Sequence, residues 1–286
     1  MLQELNKVER LTNKVWRILG LNPSQYTLQG TNTYLIGEGN NRLLIDTGQN
    51  MQGYKELLQG VLNQTNSQIN QVLITHNHLD HVNGIIDILQ LSKNCIFRKY
   101  NYNKNDQILE EKYNFKYDIK TLEDNEIIKG QDFTLKVITL PGHCPDHVGF
   151  YFQEEKTLFC GDFILSGSSG VIMNLSDQMK SYQKALSLDI ENLFSAHGPA
   201  IFGNDKSVKY IIGNRSHRLK REQQIIQAAQ SLKMFSNQQI RHIIYPNLQE
   251  NLITGALNNI DVHLQKLIEE QVVIKKENNI YEYIGQ

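Results

Sequence analysis

Thr75-His76-Asn77-His78-Leu79-Asp80-His81 sets four potential metal ligands within six residues, directly behind the apolar run Val72-Leu73-Ile74. An apolar run that stops and delivers three imidazoles and a carboxylate into one loop fits neither a hydrophobic core nor a solvated surface. Residues two apart lie on the same side of an extended chain, so His76 and His78 can share one ion. The chain then turns, and Asp80 and His81 point towards a second ion. Gly84 follows, and Asn83–Leu91 reads as a helix. Neutral imidazole suits Zn²⁺, while an Asp oxygen suits Zn²⁺ or a harder divalent ion. The bland alternative is a polar turn that happens to be rich in histidine.

Further ligand types stand at other strand ends. Leu140-Pro141-Gly142-His143 follows the apolar run 135–139, Phe159-Cys160-Gly161-Asp162 closes another, and Ser195-Ala196-His197-Gly198-Pro199 closes a third. Each lies where a strand meets a Gly- or Pro-marked turn, as expected of sites carried on loops by a rigid sheet. Leu43-Leu44-Ile45-Asp46-Thr47-Gly48 has the same form, and His147 stands four residues after His143. Taken singly, each is an ordinary turn residue. It is their order behind the histidine loop that makes them informative.

In that order the motifs resemble the His-x-His-x-Asp-His signature of the metallo-β-lactamase fold superfamily. The resemblance implies one ion on His76, His78 and His143, and a second on Asp80, His81 and His197, with Asp162 bridging. It also makes Asp46 the carboxylate that orients a ligand histidine. The blocks at 8–11, 27–35 (Thr-Leu-Gln-Gly-Thr-Asn-Thr-Tyr-Leu) and 217–225 are similar to one branch, the beta-lactamase-like protein 2 family of animal mitochondrial, zinc-dependent endoribonucleases. That likeness implies two Zn²⁺ ions, although Fe or Mn also suits the donor set. It further implies hydrolysis of single-stranded RNA, with Asp80 orienting the nucleophile and His147 assisting the leaving group. Asn32, His217 and Arg218 are then candidate substrate contacts. The location implied is the mitochondrial matrix, with the cytoplasm as alternative.

Two departures from the family pattern stand out. Ala196 precedes the last ligand where the family usually has Gly, and Cys144-Pro145 follows His143, so that Pro145 is expected to reshape the pocket rim. Two rival readings accompany the nuclease. A glyoxalase II-like thioesterase uses the same ligand set. A non-catalytic assembly component would be marked by loss of ligands, which this sequence does not show.

The rest of the chain agrees. With 286 residues, 40% hydrophobic and 21% charged, it is long enough for a sizeable core. No run approaches the roughly 18 apolar residues needed to span a bilayer. The net charge of −1 excludes a polycation with strong non-specific affinity for nucleic acid. Cys95, Cys144 and Cys160 form no CxxC pair, which points to a reducing compartment, with Cys144 a bystander beside His143. Lys7, Arg10, Lys14 and Arg17 have near-helical spacing, as in a basic presequence, but Glu4 and Glu9 count against that, and residues 14–20 read as mature fold.

Short β-type runs alternate with helical stretches up to Asp205, predicting an α/β domain over 1–205. Period alone does not separate a doubly wound sheet from two facing sheets. The resemblance implies the latter, an αββα four-layer sandwich. Over 206–286 the apolar spacing of Ile225, Ala228, Ala229 and Leu232 predicts an amphipathic helix. Helices at 238–245 and around 257–267 follow, then a hairpin about Asn278-Asn279, together a small winged-helix-like domain. The basic cluster Lys206, Lys209, Arg215, His217, Arg218, Lys220 and Arg221 reads either as a phosphate-holding surface or as a solvated helix face with ion pairs such as Arg218 to Glu222.

Overall fold

Alternation of apolar side chains along the strands sorts the first two-thirds of the chain into two facing sheets. The computed structural model describes residues 4–101 and 119–285. The first sheet runs in chain order: β1 (Val8–Arg10), β2 (Val15–Leu19), β3 (Asn32–Ile36), β4 (Asn41–Ile45), β5 (Gln68–Ile74), β6 (Ile96–Tyr100) and β7 (Ile119–Leu122). Neighbours are antiparallel up to β4 and parallel from there on. Parallel neighbours need a crossover. Helix α1 (Tyr54–Gln64) supplies it between β4 and β5, and α2 (Leu79–Val82) with α3 (Ile85–Leu91) between β5 and β6. The second sheet holds β8 (Ile127–Lys129), β9 (Thr134–Thr139), β10 (Val148–Phe152), β11 (Thr157–Gly161), β12 (Asn192–Ser195) and β13 (Ile201–Phe202), paired in that order.

The period of two decides what lies in each layer. Tyr34 and Ile36 of β3 meet Leu135 and Val137 of β9, with Phe150, Phe159 and Phe194, in a core between the sheets. Leu35 and Leu44 point the other way, onto Tyr54, Leu58, Ile85 and Ile88 of α1 and α3. Ile138 and Leu158 leave the second sheet outward, onto Tyr182 and Ala185 of α4 (Leu175–Leu186). The result is helix, sheet, sheet, helix. The two facing sheets answer the question that periodicity left open between this and a doubly wound fold.

Lys7–Arg17 is strand and turn, not amphipathic helix. Arg17 is buried on β2 and donates to Glu9 Oε2. The C-terminal region departs from expectation in two ways. Helix α5 (Asn204–Leu232) is one 29-residue element that leaves β13 and runs the whole way into the C-terminal core. That core gathers Ile225 and Ala229 with Ile240 of α6 (Asn237–Ile244) and Ile260, Leu264 and Leu267 of α7 (Ile253–Glu269). The expected hairpin is present as β15 (Val273–Lys275) and β16 (Ile280–Tyr283), turned by Asn278 and Asn279 in the left-handed region. A further strand, β14 (Met234–Ser236), pairs with β16. Three residues carry too little period to be seen in sequence. Ser236 then caps α6, accepting from Gln239 N–H while Gln239 Oε1 accepts from Ser236 N–H.

Candidate metal centre

Strand direction brings the ligands together. β4 and β5 are parallel, and β11 is parallel to β12; β9 runs the same way as β11, because both are antiparallel to β10. Asp46, His76, His143, Asp162 and His197 therefore all leave the same end of the layered sheets. A bulge between Phe159 and Gly161 re-aims the last residues of β11, and Gly161 adopts φ 51°. Gly198, after His197, adopts φ 87°, and a Cβ there would lie 1.7 Å from Ser166 O, so no other residue fits. Ala196 is not in the left-handed region and is fixed by backbone bonds to Gly161 O and from Asn32 N–H, so its methyl strains nothing.

Two groups of ligand atoms result. His76, His78, His143 and Asp162 form one, and Asp80, His81 and His197 the other, with the atoms of each group within 4.8 Å of one another. His78 Nδ1 lies 2.9 Å from both His76 Nε2 and His143 Nε2. Asp162 spans the groups, with Oδ2 3.6 Å from His143 Nε2 and Oδ1 3.2 Å from His197 Nε2 and 3.5 Å from His81 Nε2. Asp80 Oδ2 lies 3.2 Å from His81 Nε2 and 3.3 Å from His197 Nε2.

Three ring nitrogens aimed at one point cannot all satisfy each other by hydrogen bonds, whereas one cation satisfies three lone pairs. His81 Nε2 and Asp162 Oδ1 are buried without a hydrogen-bond partner at the centre of the cluster. Both observations fit a pair of divalent ions, and all seven sequence-predicted ligands are in place to hold them.

The outer nitrogens of His76, His81 and His143 are fixed by the fold. His81 Nδ1 faces Asp46 Oδ2 at 2.8 Å, leaving Nε2 for the site. Thr75 donates through N–H and Oγ1–H to Asp46, and its Oγ1 lies 3.0 Å from His76 Nδ1. One carboxylate thus orients a histidine of each group, one directly and one through Thr75. His143 Nδ1 donates to Val171 O at 2.8 Å. Thr31 Oγ1 donates to Asp80 Oδ2 at 3.0 Å, and Thr31 is itself held by Asn22, which donates to its hydroxyl and accepts from its N–H. Neither threonine's role can be read from the sequence, because a hydroxyl in a turn carries no spacing signature.

Electrostatics divide the two groups. Burial, then the neighbouring His81 and His143 rings, push the His76 pKa well down; burial and His143 lower that of His78 to about 4. These rings are neutral at pH 7. In the other group burial opposes charge, but Asp162 and Asp80 overcome it and hold the His197 pKa up at about 9. Burial likewise opposes charge on His81, yet Asp80 and Asp46 keep its pKa well above normal. Burial would raise the two carboxylates, but the facing imidazoles hold Asp80 and Asp162 well below the usual range.

Metal loading must therefore displace protons from His81 and His197. Calorimetric titration with Zn²⁺ at pH 7 in buffers of different ionisation enthalpy should show release of about two protons. No buffer dependence would contradict this reading. In the metal-free protein the sign follows from the raised His197 pKa: its share of stability is complete below about 6.5 and is lost as pH rises through about 9.

Other expectations are corrected. His147 is wholly buried, and its Nε2 accepts from Asp162 N–H at 3.0 Å. It supports the Asp162 turn and has no proton at that nitrogen to give a leaving group. Asn32 is buried and donates to Ser195 O and Gly198 O, tying β3 to the His197 loop, and does not line the cavity. Arg218 is 5% exposed and donates to Gly170 O at 2.9 Å; its expected partner Glu222 pairs instead with Lys266. His217, one position before Arg218, faces solvent and does not line the cavity. Pro145 is exposed and is no part of the rim. Cys144 is buried, with its thiol pushed up by burial and by Asp146, and belongs to neither ligand group.

The ligands floor a cavity of about 310 Å³. Its walls are Gln25, Tyr26 and Thr27 on one side and the segment from Leu165 to Met173 on the other. The metallo-beta-lactamase superfamily profile matches residues 26–197, which includes every ligand. The chain belongs to the metallo-β-lactamase superfamily. A second profile, the beta-lactamase associated winged helix domain, matches residues 236–280. The chain is 36% identical to the beta-lactamase-like protein 2 homolog of Caenorhabditis elegans, over 99% of this chain and 94% of that protein. It is 34% identical to an atrochrysone carboxyl ACP thioesterase of Cryptosporiopsis sp., over 81% of this chain and 68% of that protein. The fold superposes on a beta-lactamase domain protein from Burkholderia ambifaria with TM-score 0.80 and 18% identity, covering 98% of this chain and 93% of the other. Membership of this superfamily, together with the ligand clusters, makes the protein a metal-dependent hydrolase.

Proposed function

We propose that this superfamily member is a two-zinc endoribonuclease acting on single-stranded RNA. The observation that carries the reading is the pair of ligand groups bridged by Asp162 on the floor of an open cavity. The RNA substrate is what the family resemblance in the sequence implies, and the near-full-length similarity to a beta-lactamase-like protein 2 homolog agrees with that branch. Tyr26, a residue 66% exposed at the cavity wall, offers a ring on which a base can stack. His76, His78 and His143 would hold one ion, Asp80, His81 and His197 the other. Bound ions would supply charge stabilisation for the phosphoryl oxygens and an activated water at neutral pH. Asp80, held by Thr31, presents carboxylate oxygen at the cavity floor, where it orients the attacking water. Asp46, directly and through Thr75, and Val171 O fix the tautomers of His81, His76 and His143.

A second reading, a thioester hydrolase, is favoured by one observation. Among the described residues no Lys or Arg lines the cavity, while Leu165, Val171 and Met173 do. Similarity to a protein named a thioesterase points the same way. The two readings separate by incubating the zinc-loaded protein with a fluorescent single-stranded oligoribonucleotide and with S-lactoylglutathione, alongside chelator-treated protein. Metal-dependent cutting of the RNA is expected. Turnover of the thioester alone would overturn the proposal.

A further inference from the structure

The segment from Leu165 to Val171 closes one side of the cavity and is clipped at both ends by the long helix α5. At one end Tyr210 Oη donates to Leu165 O at 3.0 Å and accepts from Gly167 N–H at 2.8 Å. At the other, Arg218 Nη2 donates to Gly170 O at 2.9 Å. The next residue, Val171, carries the carbonyl that accepts from His143 Nδ1 at 2.8 Å. These links are continuous: helix, guanidinium, loop carbonyl, next carbonyl, imidazole, ligand atom. The guanidinium is buried, so the bond to Gly170 O is charge-assisted and poorly replaced by water. The same helix anchors the C-terminal core through Ile225, Ala228 and Ala229.

We infer that Arg218 is a positioning residue for the metal centre: through Gly170 and Val171 it sets the orientation of His143, and so makes α5 a brace between the C-terminal domain and one of the two ion sites. Removal of the brace acts selectively. It loosens the ion held by His76, His78 and His143, and leaves the ion held by Asp80, His81 and His197, where Asp46 orients His81 and His197 faces Asp80 and Asp162. The inference rests on the two-ion reading.

Co²⁺ titration followed by visible absorption, with metal content measured after dialysis, tests it on the whole chain. Wild-type protein is expected to take up two ions. Arg218→Met is expected to bind one ion as wild type does and the other about 10- to 100-fold more weakly, the usual cost of losing an orienting partner. Arg218→Lys, which keeps a charged donor, should recover part of that loss. Gln224→Ala, exposed on the same helix, should change nothing. Where Arg218→Met fails to fold, Tyr210→Phe carries the decision, since it removes the other clip without removing a charge. Its weaker ion should loosen too. Two tightly held ions in Arg218→Met, or in Tyr210→Phe where that variant decides, would overturn the inference, as would equal weakening of both ions. A wild-type protein that takes up fewer than two ions would instead overturn the two-ion reading beneath it.

Discussion

Asp162→Asn is expected to give a folded protein whose hydrolytic rate is down by roughly 10³-fold or more and which retains at most one tightly bound ion. Asp162 reaches the inward ligand nitrogens of both groups, with Oδ1 3.2 Å from His197 Nε2 and Oδ2 3.6 Å from His143 Nε2. Asparagine keeps the shape but replaces one charged acceptor by an NH₂ that repels a cation. The size follows because metal-assisted charge stabilisation contributes several kcal/mol and each 1.4 kcal/mol is about tenfold in rate. In the metal-free protein the same change removes the carboxylate that does most to keep His197 protonated, so the His197 pKa should fall from about 9 towards its ordinary value. Circular dichroism, metal analysis, ¹H–¹⁵N spectra of the imidazoles and single-turnover rates read these effects separately. Wild-type activity with two ions bound would refute the role given to Asp162.

Asp46→Asn should have the next largest effect, although Asp46 touches neither cavity nor ion. Its Oδ2 faces His81 Nδ1 at 2.8 Å, and through Thr75 Oγ1 it reaches His76 Nδ1, so it orients one histidine of each group. A carboxamide can satisfy the His81 N–H or the Thr75 donors, but it lacks the second acceptor that serves both. Loss of such a partner costs about 10- to 100-fold in metal affinity or activity. Here both ions should weaken together, in contrast to the one-sided loss expected from Arg218→Met. Competition against a chelator of known affinity measures this. Retention of either ion at wild-type affinity would show that Asp46 serves only one group. Asp46 sits at φ 59°, a conformation Asp tolerates better than most residues, so Asp46→Asn preserves the backbone while changing only the chemistry.

The seven ligands were legible because metal chemistry restricts residue type and because strand ends are marked by Gly and Pro. Asp46 was legible for the same reason, as a carboxylate closing an apolar run. His147, Asn32 and Arg218 look equally polar in sequence, yet all three face inward and serve backbone groups. Nothing local distinguishes them: a polar side chain next to a ligand is as well used in satisfying a buried N–H or C=O as in meeting substrate. Arg218 and His217 make the point most clearly. They are adjacent on α5, but a helix turns about 100° per residue, so one reaches the loop carbonyl and the other reaches water. The cavity walls were invisible too, because the segments around Tyr26 and from Leu165 to Met173 carry no ligand type and meet only in the folded protein.

What the amino-acid order determined by itself was local: residue types, the two-residue and helical periods, the turn marks, and hence the ligand inventory and the helical character of the C-terminal region. Tertiary structure decided what depends on direction. Running β4, β5, β9, β11 and β12 the same way gathers ligands from distant parts of the chain at one end of two sheets, and the path of α5 turns a basic stretch into a brace. Periodicity says which face of an element is apolar, but it does not say which other element covers that face.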